Sequence, residues 1–537
     1  MQSRLAALAL CWTLLCPFLF ADQGHHHEFD PNEKVGTVHF PTSCDASVQQ
    51  SFERGVALLH SFWYEQARKQ FVEIEKADPK CAMAYWGDAM TYWHELWGLP
   101  DNASLQAGAA LIEKAQAANA KTERERDYIA ALAAFYRDYQ HRDHSARAAD
   151  YSSAMQKLYA KYPTDDEAGA FYALSLLSTS DPHDPTFANQ KKAVALLDTL
   201  YARNPDHPGI PHYIIHSCDN PQMAPLALNA ARAYAKIAPA SPHALHMPSH
   251  IFARLGLWQE DIQSNLASVA AAEKSHATMH EEHALAFLNY AYLQTGQDDN
   301  AREVNAKLQS IQKIEDMPEM QSALEESKAD FPATYAIETH DWKMAESLKV
   351  PNGVGDNAAV ITYWGRAIGA GHLHDAKAAE QAMQDHREAV ERISKSSMAW
   401  TVKYMDNDRD EIAAWTAFAE GKNAEAEKLL RSVADREDAT GKGETELPAR
   451  EMLADMLIES NQPQAAVVEY EKSMTIDPNR FNGLYGAAHA AELAHQPEKA
   501  KKYYAQLVKN CEGANSDRPE LARAKEQLSG GAAVGGQ

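Results

Sequence analysis

Along residues 52–79, FERGVALLHSFWYEQARKQFVEIEKADP, apolar and polar positions trade places every three or four residues. That is the period of an amphipathic helix rather than a strand. The pattern predicts a first helix carrying Gly55 and Leu58, a turn, a second helix carrying Ala67 and Phe71, and a stop at Pro79. The same grammar returns near the other end. AAVVEYEKSMTIDP ends at Pro478 with Ala466 and Tyr470 in the matching places, and FNGLYGAAHAAELAHQPEKAKKYYAQLV follows with Ala488, Ala500 and Tyr504. Looser copies lie between them: IFARLGLWQEDIQSNLASV, ALAFLNYAYLQTGQDDNAREV, YWGRAIGAGHLHDAKAAEQAM and AAWTAFAEGKNAEAEKLLRSV. Alanine or glycine at each crossing lets two helices approach closely, and the aromatic fills the groove beside it. Strand patterns are nearly absent.

This repeating unit resembles the tetratricopeptide repeat, a helical hairpin of about 34 residues. The resemblance is to exported bacterial proteins of that family. It implies an all-α fold, a superhelical array of antiparallel helix hairpins. Roughly ten to twelve hairpins fit between residues 46 and 512. Turn-rich breaks divide the expected array into 46–349, 350–436 and 437–512. A non-repetitive segment, 22–45, precedes it. A tail, 513–537, follows and is expected to be flexible from about residue 528.

Length and charge narrow the picture. A chain of 537 residues is too long for one ordinary core, whereas an array grows by stacking neighbours. A net charge of −24 argues against a polyanion partner such as nucleic acid. Arg4, the apolar run LAALALCWTLLCPFLF and the small residue Ala21 read as a cleaved signal peptide over 1–21, so the expected location is periplasmic or secreted. No later stretch is apolar enough for a transmembrane segment. Four cysteines remain beyond the leader. Cys44 and Cys81, about one repeat apart, are the expected disulfide; Cys218 and Cys511 are too distant along an array to meet.

The candidate chemistry is a run of histidines, HALHMPSHIF at 243–252 and PHYIIH at 211–216. In the repeat family the first helix of each hairpin lines the concave face, with its second, fifth and ninth positions pointing inward. The resemblance therefore puts His212 and His216 at the fifth and ninth positions of one unit. His243, His246 and His250 take the second, fifth and ninth of the next, and His283 the second of a third, with Tyr290 at its ninth. Helix geometry agrees: His243, His246 and His250 fall within a sector of about 60°. Six histidines on one wall suit a metal, zinc or copper, either closed by protein ligands or open for chemistry. A water-facing polar groove is the competing reading. Glu167, Asp181, Asp184, Glu281 and Glu282 are the candidate carboxylates. Pro248 should bend or break the helix that carries the cluster.

A second lining, Met83, Trp86, Met90, Trp93 and His94, with His60 in the unit before, would form an apolar ligand groove or, less simply, a copper-suited thioether and imidazole set; packing is the plainer reading. His25, His26 and His27 follow the cleavage point and suit a solvated segment. No nucleophile elbow, phosphate loop or paired-cysteine metal motif occurs. The lysine and asparagine pattern by which some family members clamp a carboxylate is missing too. The expected function is an extracytoplasmic scaffold. It would bind a protein, peptide or small-molecule ligand in its concave groove, with a histidine-lined metal site. The alternative is a metal-dependent enzyme, hydrolytic or oxidative, on the same histidines.

Overall fold

A computed structural model describes residues 33–530 except 95, 97, 98, 182 and 183. The expected leader and His25–His27 lie outside the described residues. Among the described residues there are 26 α-helices, three short 3-10 helices and no strand. Each helix packs mainly on its neighbours in sequence, as short connections require. The all-α array of hairpins is therefore the fold. No helix among the described residues is long and apolar enough to cross a membrane.

One turn recurs through the array. The first helix of a hairpin ends in a residue with left-handed backbone, such as Gly256, Gly296, Gly421 or Asn461. The next N–H then reaches back to a carbonyl in the last helical turn, as in Leu257 to Phe252 (2.8 Å), Gln297 to Tyr292 (2.9 Å) and Gln462 to Leu457 (2.8 Å). This satisfies carbonyls that the helix end would otherwise leave unpaired. In the first hairpin the left-handed position is Phe62, with φ 52°. A bulky side chain there is unusual and costly.

The crossings are tight for the reason the sequence suggests. A Cβ at Gly87 would lie 2.3 Å from the Phe71 ring, and one at Gly486 would lie 2.2 Å from Tyr470. The segment that precedes the first hairpin is also held. Val35, Val38 and Phe40 are buried, and the Phe40 ring meets Phe52, Trp86 and Tyr128. Cys44 and Cys81 are disulfide-bonded, while Cys218 and Cys511 are free and buried.

Three expectations need correction. First, the described residues from Glu33 onward form one compact unit, so the turns at 350–357 and 437–448 do not divide it. The array closes on itself: Trp258 Nε1–H donates to the Asn479 carbonyl (2.8 Å), the Asn515 N–H to the Gly296 carbonyl (3.1 Å), and Arg518 pairs with Asp298 (2.6 Å). Second, residues Pro519–Gly530 of the expected tail form a helix against the last hairpin, Phe481–Leu493 and Pro497–Asn510. Third, Met83, Trp86, Met90 and Trp93 do not line a groove. All four are at most 2% exposed, because the helix Ala82–Met90 and the turn after it are packed among neighbouring helices, leaving Tyr85 partly exposed. His94 stacks on Tyr64, and Tyr290 lies buried beside Trp258 and Arg480.

Candidate metal centre

Three consecutive hairpins bring the six expected histidines together. His212 and His216 come from the helix Gly209–Cys218, and His283 from Thr278–Gln294. His243, His246 and His250 come from a helix that Pro248 divides into Pro242–His246 and Pro248–Arg254. Met247 keeps helical backbone between them (φ −50°, ψ −34°), so the proline interrupts hydrogen bonding without turning the chain aside. The His246 and His250 rings still meet, with centroids 4.9 Å apart.

The six fall into two sets of three. His212, His216 and His243 form one; His246, His250 and His283 form the other. Within each set one ring nitrogen per histidine lies within 4.8 Å of the other two. His212 Nε2 is 3.0 Å from His216 Nε2 and 3.1 Å from His243 Nε2, and His246 Nε2 is 3.0 Å from His250 Nε2. The sets are neighbours: His243 and His246 have ring centroids 6.4 Å apart.

The tautomers follow from the other ring nitrogens. His212 Nδ1 lies 2.6 Å from the His60 carbonyl, which can only accept, so Nδ1 carries the proton and Nε2 is a lone pair. That one lone pair faces two other Nε2 atoms, and only one can share a proton with it along its axis. His246 Nδ1 donates to Asn265 Oδ1 (2.7 Å), and Asn265 is oriented by donating its own Nδ2 to Asp261 Oδ1 (2.7 Å). His250 Nδ1 faces Asp219 Oδ2 and Glu444 Oε1, each at 2.9 Å. Each of these three rings therefore turns Nε2 inward, with an outer partner that fixes it, as metal-binding histidines are usually held.

Burial sets the protonation. It lowers the imidazoles of His212 and His283 to about 3, with further lowering at His283 from His250. It also lowers His216, His243 and His246, again with neighbouring histidines adding to the effect. His250 is the exception. Burial opposes its charge, but the Asp219 and Glu444 carboxylates outweigh that and raise it to about 10. The same carboxylates would favour a metal cation beside that ring.

Each set also has its own phenylalanine. Phe62 packs on His212, His216 and His243 with centroids 4.4, 5.5 and 5.6 Å away. Phe287 packs on His246, His250 and His283 at 4.8, 4.7 and 5.5 Å. Phe62 is the left-handed residue of the first hairpin, so a strained backbone position presents one of these rings.

A chamber of about 650 Å³ opens on His216, His243, His250 and His283. Its lining also carries Glu282, Asp330, Asp408, Glu411 and Glu437, and neither lysine nor arginine lines it among the described residues. Burial raises Glu282 and Glu437 to about 7 and Asp330 and Asp408 to about 6. The lining is therefore acidic but only partly charged near neutral pH.

Other expected site residues are elsewhere. Glu167 does not approach the six histidines. It is buried between His60 Nε2 (2.7 Å) and His207 Nε2 (2.9 Å). His60 Nδ1 accepts from the Tyr213 hydroxyl (2.8 Å) and His207 Nδ1 from the Gly209 N–H (3.1 Å), so that triad is internally satisfied. Asp184 caps a helix through the Ala188 N–H (3.0 Å), and Glu281 pairs with Lys307 (3.1 Å). Glu282 lines the chamber instead of approaching a histidine set, and accepts from the Ser327 hydroxyl. The structure adds Asp219, Glu444 and His207 to the residues the sequence singles out, and His280, whose ring centroid lies 5.5 Å from that of His243. Asp219 follows His216 at the end of one helix and was open to notice, whereas Glu444 arrives from a distant segment.

No family model matches the chain, and no curated protein does. Solved helical-repeat structures do, distantly. A human IFIT1 dimer with m7Gppp-AAAA shows 14% identity over 80% of this chain and 90% of that one, with a TM-score of 0.37. A tetratricopeptide repeat protein from Parabacteroides merdae shows 17% over 54% and 97%, with a TM-score of 0.27. The tetratricopeptide domain of P58(IPK) shows 14% over 68% and 99%, with a TM-score of 0.21. The tetratricopeptide-like fold stands on the hairpins of this chain, and function is argued from its site.

Proposed function

We propose that this chain is an exported metalloprotein whose histidine wall binds metal and offers open coordination positions to a small molecule in the acidic chamber, as a metal-dependent enzyme does. The observation that carries this reading is the inward convergence of Nε2 atoms whose rings are fixed from behind. Ligand nitrogens on one ion at about 2.0–2.1 Å are themselves about 3 Å apart, the spacing of the Nε2 contacts at 3.0–3.1 Å. The two three-histidine sets leave positions free for a ligand, as catalytic sites do and closed structural sites do not. The Cys44–Cys81 disulfide supports an oxidising compartment. The acidic lining suits a cationic or neutral small molecule better than an anion.

The test is elemental analysis of protein made without a histidine tag, before and after dialysis against a chelator, with His246→Ala beside it. The expected result is tightly held, stoichiometric metal in the native chain and a clear loss in the variant. Metal that is sub-stoichiometric, and equal in both proteins, would refute the reading and leave a buried polar cluster.

A further inference from the structure

Resting on that metal-site reading, we propose that the wall holds two copper ions, one per three-histidine set, and that the pair in its copper(I) form binds dioxygen between them. The duplication is the first ground. Each set takes two histidines four residues apart on helical backbone, which Pro248 divides in the second set, and a third from the next hairpin: His212, His216 and His243, then His246, His250 and His283. Each has its own phenylalanine against all three rings, Phe62 for the first and Phe287 for the second. One ion would serve one set, since among the described residues the ring nitrogens that come within 4.8 Å of one another group as His212, His216 and His243 and as His246, His250 and His283, with no three drawn from both. Two ions could sit close enough to share a small ligand, about 3.5–4 Å apart in two-metal sites.

The ligand chemistry selects the metal. Both inner shells are imidazole alone. The nearest carboxylates, Asp219 and Glu444, stand behind His250 on Nδ1 rather than between the sets. Paired iron or manganese ions are held with carboxylates on the bundle core, and two divalent ions here would face each other with only neutral inner ligands. Two copper(I) ions repel with about a quarter of that energy, because repulsion scales with the product of the charges. Imidazole suits copper, and the two phenylalanines keep water from the faces of the rings. Dioxygen entering from the chamber side meets His216, His243, His250 and His283. Each copper(I) then gives one electron, yielding two copper(II) ions and one bound peroxide. Nothing else is consumed, and reversal returns dioxygen.

The experiment loads tag-free, metal-stripped protein with copper(I) under nitrogen, removes the excess, counts copper per chain, then admits air and records the copper(II) electron paramagnetic resonance signal. The expected result is about two copper per chain and a signal far below the copper present, because two bridged copper(II) spins cancel. His216→Gln and His283→Gln, one from each set, should each fall to about one copper and recover the signal of an isolated ion. About one copper per chain in the native protein, lost in both variants, would overturn the pair and leave a single metal site. Two coppers with a full signal would overturn the shared ligand. Tight zinc without copper would overturn the metal assignment, and no metal at all would remove the underlying reading as well. Circular dichroism checks that the variants fold; if either does not, the native stoichiometry and signal decide alone.

Discussion

Asn265→Ala tests whether the outer partners serve the metal. Asn265 is fully buried and is not a member of either histidine set. Its Oδ1 accepts from His246 Nδ1 (2.7 Å), and its Nδ2 donates to Asp261 Oδ1 (2.7 Å) and the Asp261 carbonyl (3.1 Å). Alanine frees His246 to place its proton on Nε2, the atom that faces His250 at 3.0 Å. A ligating histidine that loses its outer partner typically costs 10–100-fold in metal affinity, or about 1.4–2.7 kcal/mol. A second cost falls on the metal-free protein. The His246 Nδ1–H and the Asp261 carboxyl lose a buried partner, at about 1–3 kcal/mol each. The variant should therefore melt lower without metal and gain less from added metal than the native chain. Chelator competition gives the affinity, and thermal unfolding with and without metal gives the linkage. Ser249→Ala is the control, because its hydroxyl stands 3.4 Å from the same Nδ1 and contributes little. If Asn265→Ala is folded and binds metal within about threefold of the native chain, well short of that tenfold, the inward orientation assigned to the His246 ring is wrong.

Three further outcomes follow from the fold. Cys44→Ser opens a loop with a sequence separation of 37 residues and should lower stability by about 4 kcal/mol by the loop-entropy relation, measured by urea unfolding without reductant; equal midpoints would show that the cross-link constrains nothing. Gly87→Ala would drive a methyl to 2.3 Å from the Phe71 ring and should cost about 1–3 kcal/mol, with part regained in Gly87→Ala/Phe71→Leu; additive losses in that pair would place the strain elsewhere. Glu411 is buried, and burial with the nearby Glu437 raises its carboxyl well above the ordinary value. The folded chain thus holds that proton more tightly than the unfolded one, and its stability contribution falls as pH rises above the ordinary carboxyl value. Glu411→Gln, which can keep accepting the Trp364 Nε1–H (2.6 Å in the native chain), should gain on the native protein steadily from about pH 5 to pH 8; parallel melting curves would contradict this.

The hairpins were legible because their signal is local. Gly55, Ala67 and Phe71 sit within one unit, and their spacing alone says that two helices cross tightly there. The six histidines were legible as a wall for the same reason. Their division into two threes was not, because it depends on the path of the chain through Met247 and Pro248. The sequence shows only that the path is disturbed there; the structure shows Met247 still helical. Glu444 was out of reach for a different cause. It meets His250 only because the array closes on itself, and no periodicity within a hairpin encodes that closure. The groove expected at Met83, Trp86, Met90 and Trp93 failed on burial. The helix Ala82–Met90 is apolar around much of its circumference, and such a helix is more often enclosed than lining.

The repeat explains why two sites of one design could arise side by side. His212 and His246 are about one repeat length apart, as are His216 and His250, so consecutive hairpins place equivalent side chains at equivalent depths. The third ligand of each set comes from the start of the next hairpin, His243 for the first and His283 for the second. A set is therefore finished only by its neighbour, and the middle hairpin serves both. That hairpin supplies the last ligand of one set and the first two of the other, on a helix divided by Pro248. The backbone stays helical through Met247, so His243 and His246, three residues apart, differ by about 60° around the axis and by most of a turn along it. The structure sends the His243 ring to His212, 4.9 Å between centroids, and the His246 and His250 rings to His283, at 4.4 and 5.8 Å. The break after Met247 lies within the segment where the wall changes from one set to the other. What reads in the sequence as a defect in the cluster's helix interrupts hydrogen bonding but leaves the path helical, so one hairpin faces two sites through the pitch of its helix.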